Sequence, residues 1–179
     1  MVRFSLRPYN VEDEDAAIEL WRRTWQLAYP EIDFSARLEW WRRRWRNELV
    51  PAATIMVAET EGRMLGFVTV DPASCDLDQM VVAPEAWGSG VASALIAAAK
   101  RTSPMGLDLH VNTDNVRAIG FYEKHGFVIS GEAINWRSGA PVHRMSWRPQ
   151  TGEARSDDRG RMTGFEGDAA THGSRSAGE

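Results

Sequence analysis

Apolar and polar positions alternate at the start of the chain. Phe4 and Leu6 fall on one side, Arg3, Ser5 and Arg7 on the other, which predicts a half-buried strand over Val2 to Arg7 stopped by Pro8. The period then lengthens. An acidic run from Glu12 to Asp15 opens a helix, where carboxylates suit the positive end of the helix dipole. Ile18, Trp21, Trp25 and Ala28 form its apolar stripe, and Pro30 lies just beyond its end. A second helix starts near Ser35, a good N-cap, with Leu38, Trp41 and Trp45 on one face.

Thr54 to Glu59 and Met64 to Val70 are β-rich runs on either side of a short polar turn and predict a hairpin. A third strand covers Asp76 to Val82 and stops at Pro84. A glycine turn follows, then a helix ending in Lys100 and Arg101. Leu107, Leu109 and Val111 alternate as another strand, and Asn115 to Lys124 is helical with a C-cap at His125-Gly126. Phe127 to Asn135 and Val142 to Trp147 predict a closing strand pair. Antiparallel runs mixed with helices indicate an α+β layered domain over residues 1–149. Residues 150–179 change composition, carry few large apolar side chains and have no period, so they are expected to be a disordered tail.

Composition narrows the class. The 179 residues suit one ordinary domain, and an apolar fraction of 43% is enough to fill its core. A net charge of −4 argues against a general nucleic-acid binder. The single cysteine, Cys75, excludes an internal disulfide framework, and no histidine pattern matches it as a nucleophile. No apolar run is long enough to span a bilayer and no signal peptide is apparent, so a cytoplasmic protein with no membrane partner is expected.

The chemistry centres on Gly88-Ser89-Gly90. Strand, glycine turn and helix start make an anion site, because unpaired amides point outward there and the dipole favours negative charge. A Walker A loop needs Gly-Lys followed by Ser or Thr, which is absent, and a dinucleotide fingerprint needs glycine where Ser93 stands. The stretch Met80 to Ile96, followed by Asn115 to Phe127, resembles the GNAT N-acetyltransferase superfamily instead. One signature falls on Glu85, Gly88 and Gly90, the other on Asn115, Ala118, Phe121, Tyr122, Gly126 and Phe127. The departure is Glu85, where relatives have Gln or Arg. A carboxylate about 8 Å from a phosphate opposes binding by roughly 0.5–2 kcal/mol, unless it points to solvent or an arginine neutralises it.

The resemblance implies a GNAT fold with a central, mostly antiparallel mixed sheet flanked by helices, acetyl-CoA as cosubstrate, and no metal. It implies that the main chain of Met80, Val81 and Val82 pairs with the pantetheine arm, with an amide near Val81 facing the oxyanion. By the same resemblance, the amides of Trp87, Gly88, Ser89, Gly90, Val91 and Ala92 cradle the pyrophosphate and Asn115 meets the pantetheine or acetyl region. Tyr122 is expected near the thioester sulfur as proton donor to the departing thiolate. Asp76 or Asp78, two apart on one strand face, is the candidate base, with His110 in reserve.

In relatives the first two helices and their loop form a wall of the acceptor site. Tyr29, Glu31, Asp33 and Phe34 are therefore candidate acceptor contacts. Trp40, Arg42, Arg43 and Arg44 fall off the packing stripe, and the mixture of acids and arginines leaves acceptor charge open. The expected function is acetyl transfer to a primary amine of a small or amino-acid-like molecule. A protein N-terminal or lysine acetyltransferase and a noncatalytic acyl-CoA sensor are the alternatives, and the pattern leaves room for a homodimer.

Overall fold

A computed structural model describes residues 3–135 and 138–150. The expected tail lies outside them, apart from Gln150. Seven strands form one sheet: β1 (Ser5–Pro8), β2 (Thr54–Thr60), β3 (Arg63–Asp71), β4 (Asp76–Val82), β5 (Leu107–Asn112), β6 (Val128–Ile134) and β7 (Pro141–Trp147). Their spatial order is β1-β2-β3-β4-β5-β7-β6, antiparallel throughout except for β4 beside β5. The helices are α1 (Glu14–Ala28), α2 (Leu38–Arg44), α3 (Val50–Ala52), α4 (Val91–Thr102) and α5 (Val116–Lys124). The architecture is the α+β mixed sheet flanked by helices that the sequence predicts. Pro8 belongs to β1 and does not precede its end: it is the last paired residue of an edge strand, where a missing N–H costs nothing.

Residues 65–70 of β3 are all buried, because helices cover both faces there. Phe67 meets Trp45 edge to face, with ring centroids 5.2 Å apart. The opposite face lies under α4, where a Cβ on Gly66 would come within 3.0 Å of Leu95 Cδ1. The tryptophan stripes meet as the helical spacing predicts. Trp21 stacks on Trp41 at 4.5 Å, and Trp41 and Trp45 are both fully enclosed.

The acidic opening of α1 does more than complement a dipole. Asp13 forms a bidentate pair with Arg7, and Glu14 accepts from both Arg42 and Arg46. Both carboxylates are buried and sit below the usual carboxylate range because of these guanidinium partners. Arg42 is thereby a structural cation that ties α2 to α1. A π-helical turn over Trp45–Leu49 carries the chain from α2 into α3 and sets Trp45 into the core.

Trp45 also donates from Nε1 to the Tyr9 hydroxyl at 3.2 Å. Trp45→Ala should lower the unfolding free energy by about 3–5 kcal/mol. Trp45→Phe, which keeps an aromatic ring against Phe67, should cost less. Urea unfolding of both variants checks this, and equal losses would contradict the packing account.

Candidate active site

The site begins where the sheet opens. Strands β4 and β5 register at one pair only, Asp76 with Asp108, supported by the Asp108 amide donating to Cys75 O at 2.8 Å. On its other side β4 runs the length of β3. Leu77 pairs with Val70 and Gln79 with Thr69, so Asp78 is an extra residue in a bulge. Bulges bend a strand and raise its twist. The bend directs β4 away from β5, and the gap between them is the cleft.

Which main-chain groups face that cleft follows from alternation. Ala83 N donates to Leu65 O at 2.8 Å, so the hydrogen-bonded pairs with β3 continue at Phe67–Val81. The Val81 amide is thus turned to Phe67, away from the cleft. The amides directed at the cleft are those of Met80 and Val82, one position to either side of the amide expected from the sequence. The Val82 carbonyl accepts from Trp87 Nε1 at 3.0 Å. Among the described residues, Met80 N–H and C=O and Val82 N–H have no main-chain partner on this side.

The chain then enters the glycine turn. Gly88 and Gly90 adopt φ of 76° and 93°, a region that side chains disfavour, and this is why glycine stands at both positions. Two of the expected amides serve the turn itself: Trp87 N donates to Pro84 O and Ser89 N to Ala86 O, each at 3.2 Å. The Ser89 hydroxyl also donates to Ala86 O, at 2.5 Å, so it braces the loop and is not spare. The amides of Gly88, Gly90, Val91 and Ala92 remain at the head of the 12-residue helix α4, as an anion requires. Glu85 is held by Arg23 of α1 through two hydrogen bonds of 3.0 and 3.1 Å, which push its carboxyl below the usual range. Neutralisation by an arginine is thus how the chain accommodates an acid at this position.

Below the turn lies a cavity of about 780 Å³. Asp76, Asp78, Met80, His110, Asn115 and Tyr122 all line it, so the candidates converge from β4, β5 and α5. The two carboxylates differ in kind. Asp78 faces the Arg44 guanidinium with both oxygens and also accepts from Gln79 Nε2 at 2.9 Å. Asp76 accepts no hydrogen bond among the described residues, and burial, then the Asp78 charge, raise it above the ordinary carboxylate range. Tyr122 is buried, and burial also pushes its phenol up, so the proton stays on through neutral pH. Asn115 caps α5, its Oδ1 accepting from Ala118 N at 3.1 Å, which leaves its side-chain NH₂ for the cavity.

The far wall is aromatic. Trp21, Trp25, Tyr29, Phe34, Trp40 and Trp41 contribute to it. Tyr29 donates to Asp114 Oδ1 at 3.1 Å and accepts from Asn112 Nδ2 at 2.7 Å, so the loop after α1 is tied to the end of β5. Glu31 lines the cavity, and Phe34 does so from a buried position. Asp33 does not reach it: its Oδ1 accepts from Ala36 N at 3.1 Å and starts the next helical turn. Sequence reasoning passed over Asn112, although it stands two positions beyond His110 on the same strand face. It also passed over the wall supplied by Ala133, Ile134, Asn135 and Ser138, which the long-range pairing of β7 with β5 brings to the cavity. Among the described residues no cluster of His, Cys, Asp or Glu is placed to hold a metal, and no helix is long and apolar enough to cross a membrane.

Comparison with known proteins agrees with this geometry. The sequence profile described as the acetyltransferase (GNAT) family matches residues 14–127. The peptidyl-lysine N-acetyltransferase YiaC of Escherichia coli is 32% identical over 132 residues, covering 74% of this chain and 88% of that protein. The peptidyl-lysine N-acetyltransferase YjaB of Salmonella typhimurium is 28% identical over 131 residues, covering 72% and 86%. The solution structure of apo YjaB from Escherichia coli superposes with a TM-score of 0.67 at 22% identity, covering 82% of this chain and 98% of that one. The PaiA N-acetyltransferase of Thermoplasma acidophilum, crystallised with coenzyme A, gives 0.66 at 18% identity, with 83% and 100% covered. The chain belongs to the acetyltransferase (GNAT) family of acyltransferase enzymes.

Proposed function

We propose that the protein transfers the acetyl group of acetyl-CoA to a primary amine of a small or amino-acid-like acceptor, by direct attack of the deprotonated amine on the thioester. The observation that carries this reading is the meeting, in one cavity, of an open strand edge, a half-buried carboxylate that accepts no hydrogen bond among the described residues and a protonated phenol. Acetyl-CoA supplies an activated acyl group on a thiolate that can leave. The main chain of Met80 and Val82 offers alternating hydrogen-bond partners to its pantetheine arm. The amides of Gly88, Gly90, Val91 and Ala92 face its phosphates, and the Asn115 NH₂ reaches toward the arm.

An alkylammonium, with pKa about 10.4, is not nucleophilic until it loses a proton. Asp76 is the better base of the pair, because both Asp78 oxygens are taken by Arg44 while Asp76 accepts no hydrogen bond among the described residues and sits above the ordinary carboxylate range. His110 lines the cavity beside it. Tyr122 keeps its proton for the departing sulfur, and the Met80 or Val82 amide is the donor to the developing oxyanion. The aromatic wall, with Glu31 and Asp114 among its polar groups, suits an ammonium carried on an apolar body.

A second reading is acetylation of lysine side chains in proteins, favoured by the names of the relatives from Escherichia coli and Salmonella typhimurium. Thiol release from acetyl-CoA, measured with a panel of small amines, amino acids and lysine-containing peptides, separates the two. Turnover with the small acceptors supports the first reading, and turnover with the peptides alone replaces it with the second. Absence of turnover with every acceptor contradicts both. Tyr122→Phe should lower kcat by about 10- to 100-fold with little change in CoA affinity, and an unchanged kcat would remove the phenol from the mechanism.

Asp76 also carries a pH signature. Its folded-state pKa is raised, so the fold prefers the protonated carboxyl, and its ionisation weakens the protein as pH rises from about 3.9 through the folded-state value. Asp76→Asn imitates the protonated form. The variant should gain stability over the parent at pH 7 and lose that gain below pH of about 4, while its turnover falls. Thermal melts at the two pH values check this, and a variant less stable at pH 7 would contradict it.

A further inference from the structure

Arg23 and Arg117 stand beside the glycine turn, and their charges are used differently. Arg23 is committed to Glu85. Arg117, the second residue of α5, is exposed, and its guanidinium lies over an aromatic face: its Cζ is 3.7 Å from the centroid of Trp87. Among the described residues it has no carboxylate partner, and the first turn of α5 contains no acid.

That placement is electrostatically unusual. The start of a helix is its positive end, which repels a cation. Here the guanidinium is held by stacking alone, on an indole that is itself fixed by its bond to the Val82 carbonyl at the cleft edge. Arg117 therefore reaches from α5 to the residue immediately before Gly88. A stacked guanidinium keeps its N–H fork in plane and free to donate, the geometry that suits phosphate oxygens. With Glu85 neutralised by Arg23, the charge of Arg117 has no carboxylate partner among the described residues at this end of the cleft, where Arg63 adds further positive charge near Glu85.

We propose that Arg117, held on the Trp87 platform, binds the phosphate-bearing part of acyl-CoA and lets the enzyme prefer the full CoA thioester over its phosphate-free pantetheine fragment. The inference rests on the reading of the cleft as an acyl-CoA site, and it predicts an effect confined to donors that carry phosphate.

The test compares the wild-type protein with Arg117→Met and Arg117→Lys. CoA binding is measured by calorimetry, and kcat/KM is measured with acetyl-CoA and with S-acetylpantetheine. Arg117→Met should weaken CoA binding and lower kcat/KM for acetyl-CoA by about 10-fold, leave kcat/KM for S-acetylpantetheine unchanged, and leave kcat with acetyl-CoA near the parent value. Arg117→Lys, which restores the charge without the fork, should recover part of the loss. Unchanged CoA affinity in Arg117→Met overturns the proposal. So does an equal fall with both donors, which would make the pair a staple between α5 and the turn. A wild-type protein that binds no CoA overturns the acyl-CoA reading itself, a result distinguishable from either of these.

Discussion

The parting of β4 from β5 is the constraint on which the site depends. A buried sheet gains by pairing every main-chain group, and an unpaired buried group costs about 1–3 kcal/mol. This sheet gives up that pairing in its middle, after Asp76 and Asp108, and keeps it at both flanks. The device that opens it is local, an extra residue at Asp78 that bends β4. The elements that hold it open are not local. Helix α4 supports β3 and β4 from one face and the tryptophan layer of α1 and α2 from the other, so the unpaired edge cannot collapse back onto β5.

The same bend places the chemistry. Asp78, the extra residue, is tied to Arg44, and burial, helped by the Asp78 charge and opposed by Arg44, holds the neighbouring Asp76 carboxyl above its ordinary range. One carboxylate is thus engaged by an arginine, and the other is left without a hydrogen-bond donor among the described residues. Charge at the head of the cleft follows similar logic. Glu85 would oppose an anion, but Arg23 reaches it from α1, a helix 62 residues earlier in sequence at that position. The turn keeps its glycines, its dipole and its spare amides, and helix α1, which walls the cavity, is coupled to it.

Much of this was legible in the sequence, for physical reasons. The strands and helices follow from period-2 and period-3.6 patterns that burial enforces. The glycine turn is legible because positive φ at Gly88 and Gly90 leaves little choice of residue. The convergence of Asp76, His110, Asn115 and Tyr122 follows from the family's element order. What was not legible depends on register and on long-range partners. A bulge is invisible to alternation, so the cleft-facing amides moved from Val81 to Met80 and Val82. Asp33 read as an acceptor contact, yet its side chain starts a helical turn locally. The Ser89 amide read as a donor to an anion, yet it closes its own loop on Ala86 O. Nothing in the spacing tells which arginine meets which acid, and so the separate duties of Arg23, Arg42 and Arg44 appear only in three dimensions.

The central claim is that the open edge of β4 and the head of α4 together receive acyl-CoA. Amide hydrogen exchange with and without CoA tests it most directly. The account predicts new protection at Met80 and Val82 and across Gly88 to Ala92, with little change at Val81, whose amide already belongs to the sheet. Protection elsewhere with none at these positions would contradict it.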